Sequence, residues 1–531
     1  MSFLDNLKKE TTVGRTENGA VTFTSSLNHN LDFYAQAGAI RSRLEDASSI
    51  FSLAYGEDKE LALRNLMYLR DVRGGLGERE AFRQMMKNLV DSDSSVAKNV
   101  LIYIPFIGRW DDLVEVYAYA KSTNKKDVSE EAIKIIKEQL NKDIDNAIED
   151  KTISLMAKWI PSPSVKSKKR KAQANMIAFD LGIKVSQYRK CLSMLRKHIG
   201  IVETKLTERN YEEIEFETLP SRALFKYRQA FYRNMESKYE DFINRVNSGE
   251  IKMNASNVLP YEVTKNYYEQ VGWYSAQVGK LNPVLEATWK SLDDTIGEAK
   301  ENAIVVADTS ASMTGDPWFV AQSLAIYCAE RLEGAFKNHF ITFSTKPSLV
   351  ELPKDSTLRD KLVEYNKNSI VSNTDIEKVF SLILNTAIKH NTPQEELPTK
   401  IIIVSDMEFD YMTDNADETA FENAKRRFND AGYKLPNIVF WNVASRQNNL
   451  PVRHNEQGVA MVSGLTPNIF KTVLLNEFVT PEQVMLDTIM SERYDFVVDI
   501  LSEENKTDAD YEELVFDGIM SREEMKKNIG L

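Results

Sequence analysis

Asp308, Ser310 and Ser312 stand at alternate positions directly after an apolar run, in the stretch Ile304-Val305-Val306-Ala307-Asp308-Thr309-Ser310-Ala311-Ser312-Met313. If the run is a strand that ends at the aspartate, its carboxylate and the two hydroxyls that follow can converge on one point. A second apolar run, Ile401-Ile402-Ile403-Val404-Ser405-Asp406, ends in the same way, and Thr374 lies in the loop Val371-Ser372-Asn373-Thr374-Asp375 just ahead of a helical stretch. In a parallel sheet, ligands gather outside the carboxyl ends of the strands, so such residues would face the crevice of a site. All five supply oxygen only. That set suits a small hard cation such as Mg²⁺, which takes near-octahedral oxygen coordination at about 2.0–2.1 Å and keeps water where the protein leaves gaps. Two plainer roles stay open: Asp308 as a helix cap, and Ser310 and Ser312 as side chains that satisfy a turn.

Other chemistries lack their parts. A phosphatase of the haloacid dehalogenase type also begins with an aspartate at a strand end, but it needs a second carboxylate two residues on, where this chain has Ser310. No G-x-x-x-x-G-K-[ST] loop is present, and the glycine-rich stretch from Arg73 to Arg79 has neither the lysine nor a preceding strand. His29, His198, His339, His390 and His454 are scattered without metal spacing, and Cys191 and Cys328 are too few for a disulfide framework or a cysteine zinc site. With no nucleophile beside a base, a binding protein is expected rather than an enzyme.

The elements that must position these residues divide the chain. After about residue 291, β-branched runs alternate with helices. The runs are 302–308, 339–345, 399–406, 437–443 and 458–464, and the helices fall near 317–334, 375–390 and 416–432. This is the pattern of βαβ units and predicts a Rossmann-like α/β domain over 291–480. From 32 to 290 the apolar residues recur at three and four, as in "REAFRQMMKNLV" and "YRKCLSMLRKHIGIVETKL", which predicts an all-α domain of stacked helix pairs. Residues 1–31 form a separate N-terminal segment, and 481–531 an acidic helical tail. No apolar run approaches twenty residues and the start is polar, so a cytoplasmic protein without membrane contact is expected.

The net charge of −12 hides an asymmetry: residues 1–290 carry 44 Lys+Arg against 39 Asp+Glu, and the remainder 23 against 40. Residues 151–200 hold 12 basic side chains and a single acid, Asp180. Lys158, Lys166, Lys168, Lys169, Arg170 and Lys171 lie around the "WIPSPS" break, while Arg189, Lys190, Arg196 and Lys197 fall on a later helix. Trp159 and Tyr188 are near in sequence. Such a patch can neutralise phosphates while aromatics stack unpaired bases, or it can be a solvated face or dock on the acidic half. Arg73, Glu78 and Arg79 are expected to form an ion network at a turn, and Arg109, Trp110 and Asp111 to lock a helix start.

The order Asp308-x-Ser310-x-Ser312, then Thr374, then Asp406 resembles the metal-ion-dependent adhesion site of von Willebrand factor type A domains. The resemblance implies that Asp308, Ser310, Ser312 and Thr374 hold a divalent cation directly or through water, that Asp406 anchors a coordinated water, and that a partner protein can complete the shell with a carboxylate. The chain departs from that pattern at Ser372-Asn373 and at Met407, where glycines are common. The stretches "LRDVRGGLGERE", "FIGRWDDLVEVY" and "MAKWIPSPS" resemble the helical module of TROVE proteins, the Ro autoantigen family, and of a related bacterial and phage family with the same two-domain plan. That resemblance implies HEAT-like helical repeats closed into a ring by the von Willebrand A domain, and binding of structured or misfolded RNA.

Overall fold

The five apolar runs expected as strands all form them. In the computed structural model, which describes residues 3, 7, 10–270, 276–297, 301–343, 346–369, 373–411, 418–475 and 480–502, ten strands are present. They are β1 (Val13–Arg15), β2 (Val21–Phe23), β3 (Tyr268–Gln270), β4 (Ala276–Val278), β5 (Ala303–Asp308), β6 (His339–Phe343), β7 (Ser348–Glu351), β8 (Lys400–Ser405), β9 (Asn437–Asn442) and β10 (Val459–Ser463). The last six make one sheet in the order β10-β9-β8-β5-β6-β7. All neighbours are parallel except β7, which runs antiparallel to β6. Every residue of β5, β8 and β10 is buried, which is why these strands read as unbroken apolar runs rather than alternating ones.

Helices Asp316–Arg331, Ile376–His390 and Ala420–Asp430 fall where the sequence places them. Their starts are chemically marked: Asp375 and Thr419 each accept an amide of the first turn, and Thr419 and Glu422 form a reciprocal capping box. Helix Leu358–Asn368 follows β7 and opens on a second such box, Thr357 with Asp360.

The division in space differs from the division along the chain. One unit combines residues 1–65 with 241–491, and the other combines 66–240 with 492–531. The stretches 32–65 and 241–290, expected within the all-α domain, therefore belong with the sheet. Helix His29–Gln36 shows the reason: its end is fastened to β10, where the Ser463 hydroxyl donates to Tyr34 O (2.9 Å) and accepts the Gly38 amide (3.0 Å). Periodicity reports that a helix has a face to bury, not which partner buries it. The segment 1–31 is not separate either. β1 and β2 form a hairpin, and Phe23 exchanges both main-chain hydrogen bonds with Leu450 at 2.9 Å.

Among the described residues the second unit has no strand. Its two glycine-containing motifs meet over a buried ion cluster. Arg70, only 2% exposed, donates twice to Asp112 Oδ2 (2.9 and 2.7 Å), and Arg83 donates to Asp112 Oδ1 (2.7 Å). Asp111 pairs with Arg83 and Arg109 at 3.0 Å. The Arg109 amide caps back onto Asp112 Oδ2 (3.1 Å), so the expected helix lock is present. The loop after Arg70 turns back, and Arg79, expected in a network with Arg73 and Glu78, pairs with Glu80. Gly75 permits that turn. A β-carbon there would lie 2.0 Å from Tyr68 O, and the amide of the next residue, Leu76, donates to the same oxygen (3.1 Å). Gly75→Ala is expected to destabilise this unit by about 3 kcal/mol, read as a lowered midpoint in urea unfolding, since backbone rather than a flexible side chain must give way.

Candidate functional site

The sheet order reverses direction at β5. The chain passes from β5 to β6 and β7 on one side and then returns to place β8 on the other. The gap beyond the carboxyl ends of β5 and β8 is the switch point where open α/β sheets take their ligands. Asp308 ends β5 and Asp406 follows β8. The register that pairs Ala307 with Val404 sets the next residues, Asp308 and Ser405, side by side. The Ser405 hydroxyl donates to Asp308 Oδ2 (2.6 Å) and accepts the Met407 amide (3.1 Å), so it fixes both strand ends at once.

Ser310 and Ser312 gather around this pair. The Ser310 amide donates to Asp308 Oδ1 (2.8 Å), and the Ser310 and Ser312 hydroxyls lie 3.0 Å apart. Thr374 is buried and held against the loop after β8, its carbonyl accepting the Asp410 amide at 2.9 Å. Met407 adopts φ +64°, the left-handed region that favours glycine.

Two carboxyl groups are thus enclosed together with little to neutralise them. Asp308 is wholly buried and Asp406 1% exposed. Burial, and then the charge of Asp406, push the Asp308 carboxyl above its usual range against the hydrogen bonds from Ser405 and Ser310. Burial likewise raises Asp406, opposed by Ser312, the Glu408 amide and Arg446. Asp406 Oδ2 is buried with no hydrogen-bond partner. A buried, unpartnered carboxylate oxygen beside a second carboxylate is costly without a cation, so the donor set fits one. Among the described residues no group of three or more His, Cys, Asp and Glu could hold a metal ion. The candidate has two carboxylates and three hydroxyls.

Residues that the sequence did not mark complete the surroundings. Glu408 is buried, accepting the Glu17 amide (2.8 Å) and Asn449 Nδ2 (2.8 Å). Its carbonyl accepts Asn18 Nδ2 (2.7 Å), and Thr16 Oγ1 donates to Phe409 O (2.6 Å). Arg446, on the loop after β9, lies 3.9 Å from Asp406 Oδ2 and 3.0 Å from Glu17. No local pattern could have marked these residues, because their partners lie far away along the chain.

The basic residues of the second unit fall into two groups. Arg196 donates to Ala157 O (2.7 Å) and Ile160 O (3.0 Å), and Arg170 to Trp159 O (2.7 Å), so both hold the "WIPSPS" break in place. Lys169 pairs with Glu115 at 2.6 Å. Lys166, Lys168, Lys171, Arg189, Lys190 and Lys197 are exposed, and Lys158 is half-buried over the Trp159 ring. Trp159 is also covered by Arg109, 4.2 Å from the ring centroid. Tyr188 is wholly buried and donates to Pro161 O (3.1 Å), which removes it from the aromatics that could stack a base.

Two domain families match parts of the chain. A domain of unknown function, DUF7788, matches residues 302–519, a span that includes every residue of the candidate cation site. Another, DUF2828, matches residues 16–103 and 180–301. An uncharacterised protein, L728, of Acanthamoeba polyphaga mimivirus is 29% identical over 507 residues, covering 89% of this chain and 86% of that protein. The crystal structure of the Deinococcus radiodurans RO (RSR) protein aligns with 84% of this chain and 99% of its own, at 13% identity and a TM-score of 0.47. Among the described residues no helix is long and apolar enough to cross a membrane.

Proposed function

We propose that the protein is a non-enzymatic binding protein whose α/β unit is of the von Willebrand A kind and holds a divalent cation, Mg²⁺ in the simplest case. Asp308, Ser310, Ser312, Thr374 and Asp406 are its ligands, directly or through water. The observation that carries this reading is the buried Asp406 Oδ2, without a hydrogen-bond partner, beside buried Asp308. A bound cation would supply an electrophilic point on which a carboxylate or phosphate can complete the coordination shell. The chain's own residues hold the donors in place, Ser405 bridging the two strand ends and Glu408 tying down the loop beyond Asp406. Titration of Mg²⁺ or Mn²⁺ into the protein and into Asp308→Ala tests the assignment.

The helical unit supports a second binding role, the Ro-like one, in which RNA lies on the exposed basic side chains of helices Lys168–Asp180 and Val185–Ile199. This rests on the exposed cations Lys166, Lys168, Lys171, Arg189, Lys190 and Lys197, which stand apart from the arginines that hold the break. A structured RNA with a single-stranded 3′ end should bind the wild type with a steep salt dependence, and Lys168/Lys171/Lys190/Lys197→Ala should lower the slope by roughly 0.7–0.9 for each phosphate no longer neutralised. An unchanged slope would remove RNA from this surface and leave the cation site, with a protein carboxylate as its ligand, as the protein's binding function.

A further inference from the structure

The environment of Arg446 is unusual for an ion-paired arginine. Its guanidinium is held between two carboxylates at unequal distance, 3.0 Å from Glu17 and 3.9 Å from Asp406 Oδ2, the second beyond hydrogen-bond reach. Asp406 Oδ2 is also the oxygen with no hydrogen-bond partner. A positive charge therefore stands next to the one carboxylate oxygen left open, yet leans toward a different acid.

Both anchors of this arrangement are tied down by hydrogen bonds. The loop bearing Arg446 is fixed by Arg43, whose Nε donates to Ser445 O (3.0 Å) and Nη2 to Ser445 Oγ (3.0 Å), while the Ser445 amide donates to Ala39 O (3.0 Å). Glu17 lies on the segment between β1 and β2. That segment is bound to the loop after β8 through Thr16, the Glu17 amide and Asn18, and the Tyr411 amide donates back to Asn18 O (3.1 Å). The side chains of Arg446, 38% exposed, and Glu17, 36% exposed, have room to move.

We propose that Arg446 is a built-in counter-cation of the site: standing between Asp406 and Glu17, it offsets the Asp406 charge when no ion is bound and is held off by Glu17 when a divalent ion binds, coupling ion affinity to the N-terminal hairpin. This rests on the cation site proposed above. A divalent ion on the Asp308–Asp406 pair repels the guanidinium toward Glu17, and Glu17 in turn reduces the competition that the ion must overcome. The coupling is reciprocal, so ion binding tightens the hairpin's hold.

The test is Mn²⁺ affinity of the full chain, by calorimetry or by the EPR signal of free ion, for wild type, Arg446→Ala, Glu17→Gln, the double variant and Asp308→Ala. Glu17→Gln keeps the amide that bonds Glu408. Arg446→Ala should bind Mn²⁺ about three- to tenfold more tightly, since a like charge 3.9 Å from the liganding Asp406 Oδ2 is removed in a partly screened setting. Glu17→Gln should bind more weakly by a similar factor, and it should have no effect once Arg446 is gone. If wild type binds and Asp308→Ala does not, but Arg446→Ala is unchanged or weaker, the counter-cation role is overturned and the site stands. The same holds if Glu17→Gln weakens binding equally in the Arg446→Ala background, because Glu17 then acts on the ion directly. If wild type takes up no Mn²⁺, the site and the counter-cation role fall together.

Discussion

Replacing Asp112 with alanine should cost the helical unit about 3–5 kcal/mol, the range for a buried ion pair broken from one side. The effect comes from the charge left stranded more than from the hydrogen bonds removed. Arg70 is 2% exposed, and Asp112 is the carboxylate to which it donates from both Nε and Nη2. Without Asp112 its charge stays out of water with no counter-charge in contact. Arg83 suffers less because Asp111 remains 3.0 Å away. Asp112→Asn retains an acceptor but not the charge and should fall between wild type and alanine. Arg79→Ala is the internal comparison: its pair with Glu80 is about half exposed on both sides, and its loss should move the unfolding midpoint little. Urea unfolding of the three variants decides the matter. An Asp112→Ala chain as stable as Arg79→Ala would mean that the cluster contributes nothing net.

Asp308→Ala should abolish divalent-ion binding, a loss of at least about 100-fold, because it removes the carboxylate that Ser405 and Ser310 orient toward Asp406. The ion's signature in stability follows from the direction of the carboxyl shifts. Burial raises both Asp308 and Asp406, and the charge of Asp406 raises Asp308 further, so in the ion-free protein the folded pair holds protons more tightly than the unfolded chain does. Through these groups stability falls as pH climbs from the ordinary carboxylate range toward neutrality. A divalent ion competes with those protons and stabilises only where the pair is ionised. Ion at 100 times its dissociation constant adds about 2.7 kcal/mol to the folded state. Mg²⁺ should therefore raise the melting temperature by several degrees near pH 7.5, much less near pH 5, and not at all in Asp308→Ala. Equal shifts at both pH values, or a shift that survives the substitution, would place the ion elsewhere.

How much of this was legible in the chain depended on the range of the interactions concerned. The strands β5, β8 and β10 are buried along their lengths, and burial alone writes an unbroken apolar run into a sequence. β1 and β2 could not be seen that way: three residues each, "VGR" and "VTF", are too short for a period, and what holds them is a set of bonds to residues near 410 and 450. The same contrast runs through the site. Asp308, Ser310, Ser312 and Asp406 were readable because the ends of strands are local features. Glu408, Arg446 and Glu17 acquire meaning only when three distant loops meet. In the basic stretch the charge was visible, but which arginines are spent on backbone carbonyls was not. Arg170 and Arg196 look no different in sequence from Lys168 and Lys197.

The N-terminal hairpin also bears on the order in which the chain acquires its structure. Thr22 Oγ1 donates to Leu450 O across 428 positions, so residues 10–24 leave the ribosome long before the strands and loops that receive them exist. Nearly the whole of the helical unit, 66–240, emerges in one continuous piece in between, and it waits for contacts from the later segment, among them Arg493 with Asp71 and Phe496 stacked on Tyr103. The α/β unit is split around that piece, and closing so long a loop slows assembly far more than it weakens the finished fold. During synthesis, then, the nascent protein carries a waiting amino-terminal strip beside a largely formed helical insert. The segment that fastens the candidate site is made early and used late.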